Sequence, residues 1–344
     1  MLKILYIIDK MKPAGAQMHL AEVVSSLDKS KFEARLVTLE ELGINRIYGF
    51  SGIRGLFKLI GMMKEECFDI VQTYLFSENI LGVIAAKLAG VPVIITGRRD
   101  TGILCQGSWQ HIMAYRLTNR FVKKIICVSE AVKSVALSKE RVTSDKVKVI
   151  YNGVDIVKFK VLDLNSEARK KLKEQLGIKS NELVIGMVAN FSWIKGHEVL
   201  LAAAQDVIKE VSDVKFILVG EGALLEHCKL QAASHGLKDK ILFIGKRNDI
   251  PELLPIMDVS LNLSYSEGMS NTILESMAAG VPVVATAVDG NLETVFEDQT
   301  GLLVPVKNAA ATAAAIIRLL KDADLRKRLG ENAKRVAQEK FDSH

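Results

Sequence analysis

The feature that most limits how this chain can fold is an alternation. Short apolar runs recur between segments of helical periodicity from one end to the other. Such an alternation is the mark of parallel sheets built from strand–helix–strand units. In the first half the runs fall near 2–8, 34–39, 69–73, 92–96, 124–128 and 147–150, with helices near 16–27, 54–65, 78–89, 108–121 and 130–138. A second series begins with Leu183–Val188 and continues with Lys215–Val219, Ile241–Ile244, Val259–Asn262, Val281–Val284 and Gly301–Val304. Helices separate these runs as far as about residue 340. The polar stretch Asn152–Asn181 carries no strand pattern and divides the two series. A chain of 344 residues is long for one core and suited to two. The reading is therefore α/β, with two doubly wound parallel-sheet domains, 1–155 and 156–344, facing a central cleft. Open sheets of this kind bind ligands beyond the carboxyl ends of their strands, but the architecture alone names no reaction.

Composition narrows the class. With 49% hydrophobic and 25% charged residues the chain is expected to pack as a globular enzyme. The apolar start Leu2–Ile8 runs straight into Asp9-Lys10, which suits a buried first strand and not a signal peptide. No stretch approaches the roughly 20 apolar residues that cross a bilayer, since Lys87 interrupts the most apolar window, Ile80–Ile95. A cytoplasmic protein is expected. Residues 1–160 carry 24 Lys and Arg against 15 Asp and Glu, a net of +9, while residues 161–344 carry 22 against 25, a net of −3. A basic first half suits contact with anionic partners, including peripheral contact with the inner, anionic face of the cell membrane. No dense basic run interleaved with aromatics points to nucleic acid. Cys67, Cys105, Cys127 and Cys228 lie far apart with no C-x-x-C pair and read as isolated reduced thiols. The six histidines show no ligand spacing, so neither zinc nor any other metal is expected.

Chemistry concentrates in Ser266-Glu267-Gly268-Met269-Ser270-Asn271-Thr272-Ile273-Leu274-Glu275. This segment follows a strand, turns on a glycine and enters a helix over Asn271–Ala279. Backbone N–H groups of Gly268, Met269 and Ser270 at that helix start would receive a phosphate well. Glu275 lies eight residues after Glu267, so a loop and the following helix can present both carboxylates to one cleft. Carboxylates suit ribose or hexose hydroxyls, which are neutral donors. The alternative for either glutamate alone is a charge that complements the helix dipole. Gly220-Glu221-Gly222 after a strand lacks the third glycine and the later acid of a dinucleotide site.

The E-x7-E spacing, followed by Ser276–Thr286, resembles the family 4 retaining glycosyltransferases of GT-B fold, which have two Rossmann-like domains. Tyr151-Asn152-Gly153-Val154-Asp155, Lys195-Gly196-His197, Val219-Gly220-Glu221-Gly222 and Thr300–Val304 match further. The resemblance implies that Glu275 holds the nucleotide ribose, Glu267 contacts the donor sugar and Lys195 neutralises the diphosphate. It implies that the Gly268–Ser270 amides bind phosphate or sugar oxygens, and that the base sits along Phe243–Arg247. Asn190, Ser192, Gly220, Lys246 and Arg247 would then surround the donor. Pro13-Ala14-Gly15-Ala16-Gln17 resembles the family's glycine-rich loop, in which Gly15 and Ala16 let amides approach the diphosphate and acceptor. The implied substrate is a UDP- or GDP-linked hexose or N-acetylhexosamine, and the implied acceptor is a saccharide or lipid-linked saccharide of cell-surface synthesis. No cofactor is implied beyond the nucleotide-sugar substrate.

The chain also departs from the family. Many members carry an arginine five residues before the lysine, where this chain has Asn190, and Ser192 adds no charge. Many carry a histidine after the fourth strand, where this chain reads Thr96-Gly97-Arg98-Arg99-Asp100. Arg98 or Arg99 is expected to supply the missing cation. An epimerase of the same fold, or a weakly catalytic sugar-nucleotide-binding partner, remains the alternative. The helix from about Asp324 to Gln338 leaves only Glu339–His344 after it. Phe341 is read as opening a crossing segment, and residues 341–344 are expected to make few contacts with residues 1–150.

Overall fold

The computed structural model describes residues 1–11, 15–44, 49–102, 108–160 and 166–343. Two compact units emerge, Met1–Tyr151 and Asn152–His344. The division precedes the sequence boundary at 155 because the segment after Tyr151 is held by the second unit. Val154 bridges to Asp342; its N–H donates to the Phe341 carbonyl at 2.8 Å, and its carbonyl accepts from Ser343 at 3.2 Å. Glycine is needed at position 153, where a Cβ would lie 2.8 Å from that of Ser343. Phe341, read as the start of a departing segment, is buried and closes the last helix.

In the first unit, strands β1 (Leu2–Ile8), β2 (Phe32–Thr38), β3 (Ile70–Thr73), β4 (Val93–Arg98), β5 (Lys124–Cys127) and β6 (Val147–Val149) form one parallel sheet. Their order is β2-β1-β3-β4-β5-β6. Between them run α1 (Gly15–Ser26), α2 (Phe50–Glu66), α3 (Phe76–Ala89), α4 (Trp109–Thr118) and α5 (Glu130–Lys139). Ile4 to Ile8 are all buried, which is why β1 reads as a continuous apolar run. Ser129 caps α5 by accepting from the Val132 N–H at 3.2 Å. Helix α2 starts four residues before the pattern predicts. Gly52 and Gly55 are buried; a Cβ at Gly55 would lie 2.1 Å from the Ile44 side chain.

The second unit begins with α6 (Ile156–Lys160) and α7 (Ser166–Gln175), two helices in the stretch that showed no strand pattern. Strands β7 (Leu183–Val188), β8 (Val214–Val219), β9 (Ile241–Phe243), β10 (Val259–Asn262), β11 (Val283–Thr286) and β12 (Gly301–Val304) form a parallel sheet ordered β12-β11-β10-β7-β8-β9. Its helices are α8 (His197–Glu210), α9 (Leu225–Ser234), α10 (Ile250–Leu253), α11 (Asn271–Ala278), α12 (Asn291–Thr294), α13 (Ala309–Lys321) and α14 (Ala323–Lys340). Phe216, Leu218 and Ile185 of the sheet pack with Leu200, Ala204 and Ile316 into one core cluster. Strand β11 starts later than its apolar run because Pro282 has no N–H for the ladder, although its carbonyl accepts from Ser260 at 3.0 Å. The chain winds outward from β7 in one direction and from β10 in the other. These neighbours mark the point where strand order reverses, and a crevice opens beyond such a point. Among the described residues no helix is long and apolar enough to cross a membrane.

Candidate active site

The loops beyond β7 and β10 bring the two most strongly implicated side chains together. After β7 the chain is laced to the loop after β8: Phe191 donates to the Glu221 carbonyl at 2.9 Å, and Leu224 donates to that of Phe191 at 3.0 Å. Gly220 and Gly222 allow this, with φ of +143° and +156° and Cβ positions that would fall 2.1 Å and 2.4 Å from the carbonyl oxygens of Ala189 and Phe191. Gly220 thus shapes the loop that carries Asn190 and Ser192. Asn190 is exposed and accepts from the Ser192 hydroxyl at 3.2 Å.

A short turn, Trp193–Lys195, then leads into α8. Gly196 adopts φ +72°, and a Cβ there would sit 2.2 Å from the Leu263 carbonyl oxygen. The Tyr265 N–H donates to the Ile194 carbonyl at 2.7 Å. The lysine turn is therefore pressed onto the start of the next loop. The result is an ion pair between Lys195 Nζ and Glu267 Oε1, and the same oxygen accepts from the Ser264 hydroxyl at 2.7 Å. Their side chains are 23% and 12% exposed, so the pair is reachable yet shielded. His197 lies just beyond, buried and stacked on Phe191 with ring centroids 4.2 Å apart. Burial, and then the Lys195 charge, push the His197 pKa down to about 4, which keeps the ring neutral.

Helix α11 begins as the sequence expected. Ser270 caps it, accepting from the Ile273 N–H at 3.4 Å and from Asn262 Nδ2 at 2.9 Å. The backbone N–H groups of Gly268, Met269 and Ser270 make no hydrogen bond among the described residues, and all three residues are buried. Three donors at a helix start, next to an ammonium and a carboxylate, have the chemistry to receive a phosphate. Glu275 is half-buried on the second turn of the helix.

Several supports escaped the sequence reading. Asn152 reaches Met269 O at 3.4 Å and Asn271 Oδ1 at 2.8 Å. Gly290 donates to the Glu267 carbonyl at 3.0 Å, and a Cβ on it would fall 1.9 Å from Gly268 O. Buried Asn291 Nδ2 is 3.2 Å from Asn262 Oδ1 and 3.1 Å from Thr286 O. Only a loop rich in Gly and Asn hinted at these.

Lys246 is exposed beyond β9. Arg247 is engaged by Asp249, with Nε donating to Oδ1 at 2.8 Å. Their loop joins the site through Gly220, whose N–H donates to Gly245 O at 2.8 Å. Strand β9 is two strands from β7, about 10 Å away, so this loop lies along the edge, removed from the Lys195–Glu267 pair.

In the first unit, Pro13 and Ala14 lie outside the described residues. Gly15 opens α1 and is exposed, Ala16 packs against the cluster of Ile4, Tyr6 and Leu20, and Gln17 Nε2 donates to Asp9 Oδ1 at 3.0 Å. The expectation that Arg98 serves as an available cation is corrected. Its side chain is buried, donating from Nε and Nη2 to Glu140 at 2.9 Å each and from Nη2 to Asn119 Oδ1 at 2.9 Å, and it lies 3.8 Å from the Tyr115 ring centroid. A guanidinium so enclosed holds its own unit together. Arg99 is half-buried, 6.0 Å from the centroid of the Tyr74 ring. Desolvation lowers its pKa to about 10. It borders a small hollow of ≈ 70 Å³, open to solvent, with Tyr74, Phe76, His111, Tyr115 and Lys139.

Near the reversal point of the first sheet, Glu78 of α3 is fully buried and neither of its oxygens has a partner among the described residues. Burial is the largest cause raising its pKa, to about 7, and Asp9 adds to the rise.

The profile described as "Glycosyl transferases group 1" matches residues 168–336, and that described as "Glycosyltransferase Family 4" matches residues 13–158. The chain is 31% identical to the UDP-Gal:alpha-D-GlcNAc-diphosphoundecaprenol alpha-1,3-galactosyltransferase of Escherichia coli, over 78% of this chain and 71% of that protein. To the N-acetyl-alpha-D-glucosaminyl L-malate synthase of Bacillus anthracis it is 30% identical, over 83% and 74%. The crystal structure of Alr3699/HepE of Anabaena in complex with UDP-glucose superposes with a TM-score of 0.87 at 25% identity, over 99% of this chain and 96% of that one.

Proposed function

Because the chain belongs to glycosyltransferase family 4, with the two Rossmann-like units of the GT-B fold, we propose a donor site centred on Lys195, Glu267 and the Gly268–Ser270 amides. The donor is a hexose or N-acetylhexosamine linked to UDP or GDP, the acceptor is a saccharide or lipid-linked saccharide, and the anomeric configuration is retained. The observation that carries this reading is the group of three unpaired, buried amides beside the Lys195–Glu267 pair. Named substrates of two relatives support it, since one is named for a UDP-sugar and a diphospholipid-linked acceptor and another is bound to UDP-glucose.

In this reading the substrate competes with the ion pair. The diphosphate takes the Lys195 ammonium and the amides, and a sugar hydroxyl takes Glu267. As the bond from C1 to the phosphate oxygen breaks, negative charge grows on the diphosphate, where the fixed cation and amides stabilise it. The acceptor oxygen bonds to C1 on the face the phosphate leaves, and its proton passes to the departing phosphate oxygen. No metal is required for that step. Glu275 holds the ribose.

Incubation with UDP- and GDP-sugars, with and without a lipid diphosphate-linked saccharide, tests the proposal. The expected result is acceptor-dependent release of nucleoside diphosphate, an α-linked product from an α-linked donor by NMR, and an unchanged rate in EDTA. An inverted product, or loss of the rate in EDTA, removes the mechanism. The enclosure of Arg98 leaves the diphosphate with few cations and favours the second reading, a sugar-nucleotide-binding partner. Donor binding without transfer to any acceptor identifies that case.

A further inference from the structure

The loop after β11 is fastened to the segment that carries Glu267 at three points. The Gly290 N–H donates to the Glu267 carbonyl at 3.0 Å. A Cβ on Gly290 would fall 1.9 Å from Gly268 O, so the two backbones run in contact. The hydroxyl of Ser266, a buried residue, donates to Asp289 Oδ2. Half-buried Asp289 therefore brings a carboxylate to the residue just before Glu267.

The loop's own conformation asks little of that carboxylate. Asp289 has a φ of +35°, in the region that glycine enters freely and that a residue with a Cβ enters under strain. The start of α12 is satisfied by main chain: the N–H groups of Asn291, Leu292 and Glu293 donate to the carbonyls of Val288, Asp289 and Gly290 at 2.8, 3.2 and 3.3 Å. Asn291, through Nδ2, ties the loop to Asn262 and Thr286. A glycine at 289 would make the same turn more easily, so what the aspartate adds is a side chain and its charge.

Charge at the site is divided along its length. The Gly268–Ser270 amides and the Lys195 ammonium suit the phosphates, and Glu267 suits the sugar. Once a diphosphate draws Lys195 away, Glu267 keeps its negative charge and Asp289 adds a second beside it. We propose that Asp289 determines the class of donor sugar. It makes the sugar end of the site anionic, so that a neutral hexose, whose hydroxyls donate to carboxylates, enters and a hexuronic acid, whose own carboxylate is repelled, is turned away. The inference rests on the proposed donor site and adds to it the residue that selects.

Calorimetric titration of the full chain with UDP and GDP comes first. Sugar nucleotides that differ only at C6 follow: UDP-glucose with UDP-glucuronate, and UDP-galactose with UDP-galacturonate. GDP-mannose with GDP-mannuronate is the pair if GDP is the nucleotide bound. The wild type is expected to bind the neutral member of a pair about tenfold tighter or more, and Asp289→Asn to narrow that ratio by about tenfold. Asn keeps the shape of the side chain and tolerates the positive φ. Asp289→Gly, which relieves the backbone, should narrow the ratio equally, so a folding defect in the first variant does not decide the result. A merely structural role moves both members of a pair together and leaves their ratio alone. Equal binding of hexose and uronate by the wild type, or a ratio that both variants leave unchanged, overturns the proposal while the donor site stands. Absence of UDP and GDP binding removes the donor site and this inference with it.

Discussion

Lys195 and Glu267 satisfy each other's charge, and a substrate that separates them must replace what each loses. Removing Lys195 should therefore act on the reaction more than on binding. Lys195→Ala is expected to cut kcat by about 100-fold or more while donor KM changes far less, because charge on the diphosphate grows toward the transition state; a kcat within about twofold of wild type assigns the work to another cation. Glu275→Ala should weaken binding of the nucleoside diphosphate by about 1.5–3 kcal/mol, the loss of a hydrogen bond to a charged group, with the fold intact by circular dichroism. An unaltered dissociation constant takes Glu275 out of the site. Glu78 makes a different kind of prediction. Its folded pKa, about 7, is above the ordinary 4.5, so the neutral carboxyl's contribution is complete below about pH 4.5 and is lost as pH rises through 7. Glu78→Gln, which cannot ionise, should escape a loss of order 3 kcal/mol between pH 5 and pH 8. Urea unfolding at the two pH values checks this, and parallel behaviour of variant and wild type rejects it. His19 and His197, both lowered to about 4 by burial, act in the opposite direction, losing stability as pH falls below 6.5. They are common to both proteins and cancel in the comparison. Of the candidate site residues, the glutamates could be proposed from the sequence because their spacing lies within one segment. Arg98 was not, because its partner Glu140 is 42 residues away and nothing local announces the pair.

At the scale of elements, the site depends on backbones that approach closely. Gly290 has an ordinary φ of −66°, so alanine there incurs no backbone strain of its own. Its Cβ, however, would enter the Gly268 carbonyl at 1.9 Å, and one of the two loops must move. Gly290→Ala is expected to destabilise the protein by about 1–3 kcal/mol and to weaken nucleotide binding together with stability. Calorimetric titration with UDP checks it; unchanged affinity means that the loop of amides does not hold the phosphate. Element positions were readable from the sequence because β1, β7 and β8 are short, apolar and bounded by turns. Two kinds of element were not. Helices α6 and α7 fall in a polar stretch where burial leaves little periodic trace. The first turn of α2 carries Gly52, a poor helix former, and is buried there for a tertiary reason that helix propensity does not register.

At the scale of the molecule, the proposed donor contacts all belong to the second unit. UDP at about 100 times its dissociation constant should add about 2.7 kcal/mol to whatever opens that unit. Hydrogen exchange should slow at residues 189–196 and 264–275, with far smaller changes in strands β1–β6. Uniform protection over both units contradicts the assignment. The two-sheet plan was legible because alternation of strand and helix leaves few topologies, but the division at Tyr151–Asn152 was not, since it is decided by which unit pairs with Val154. That pairing sets the segment entering the second unit beside Phe341–Ser343, within hydrogen-bonding distance along Val154 to Ser343. Residues 152 and 343 of that unit therefore lie at one doorway. A short splice from 343 to 152 should let new ends be cut at an exposed loop elsewhere, and the same doorway lets the unit be seated in another host chain at a single surface position.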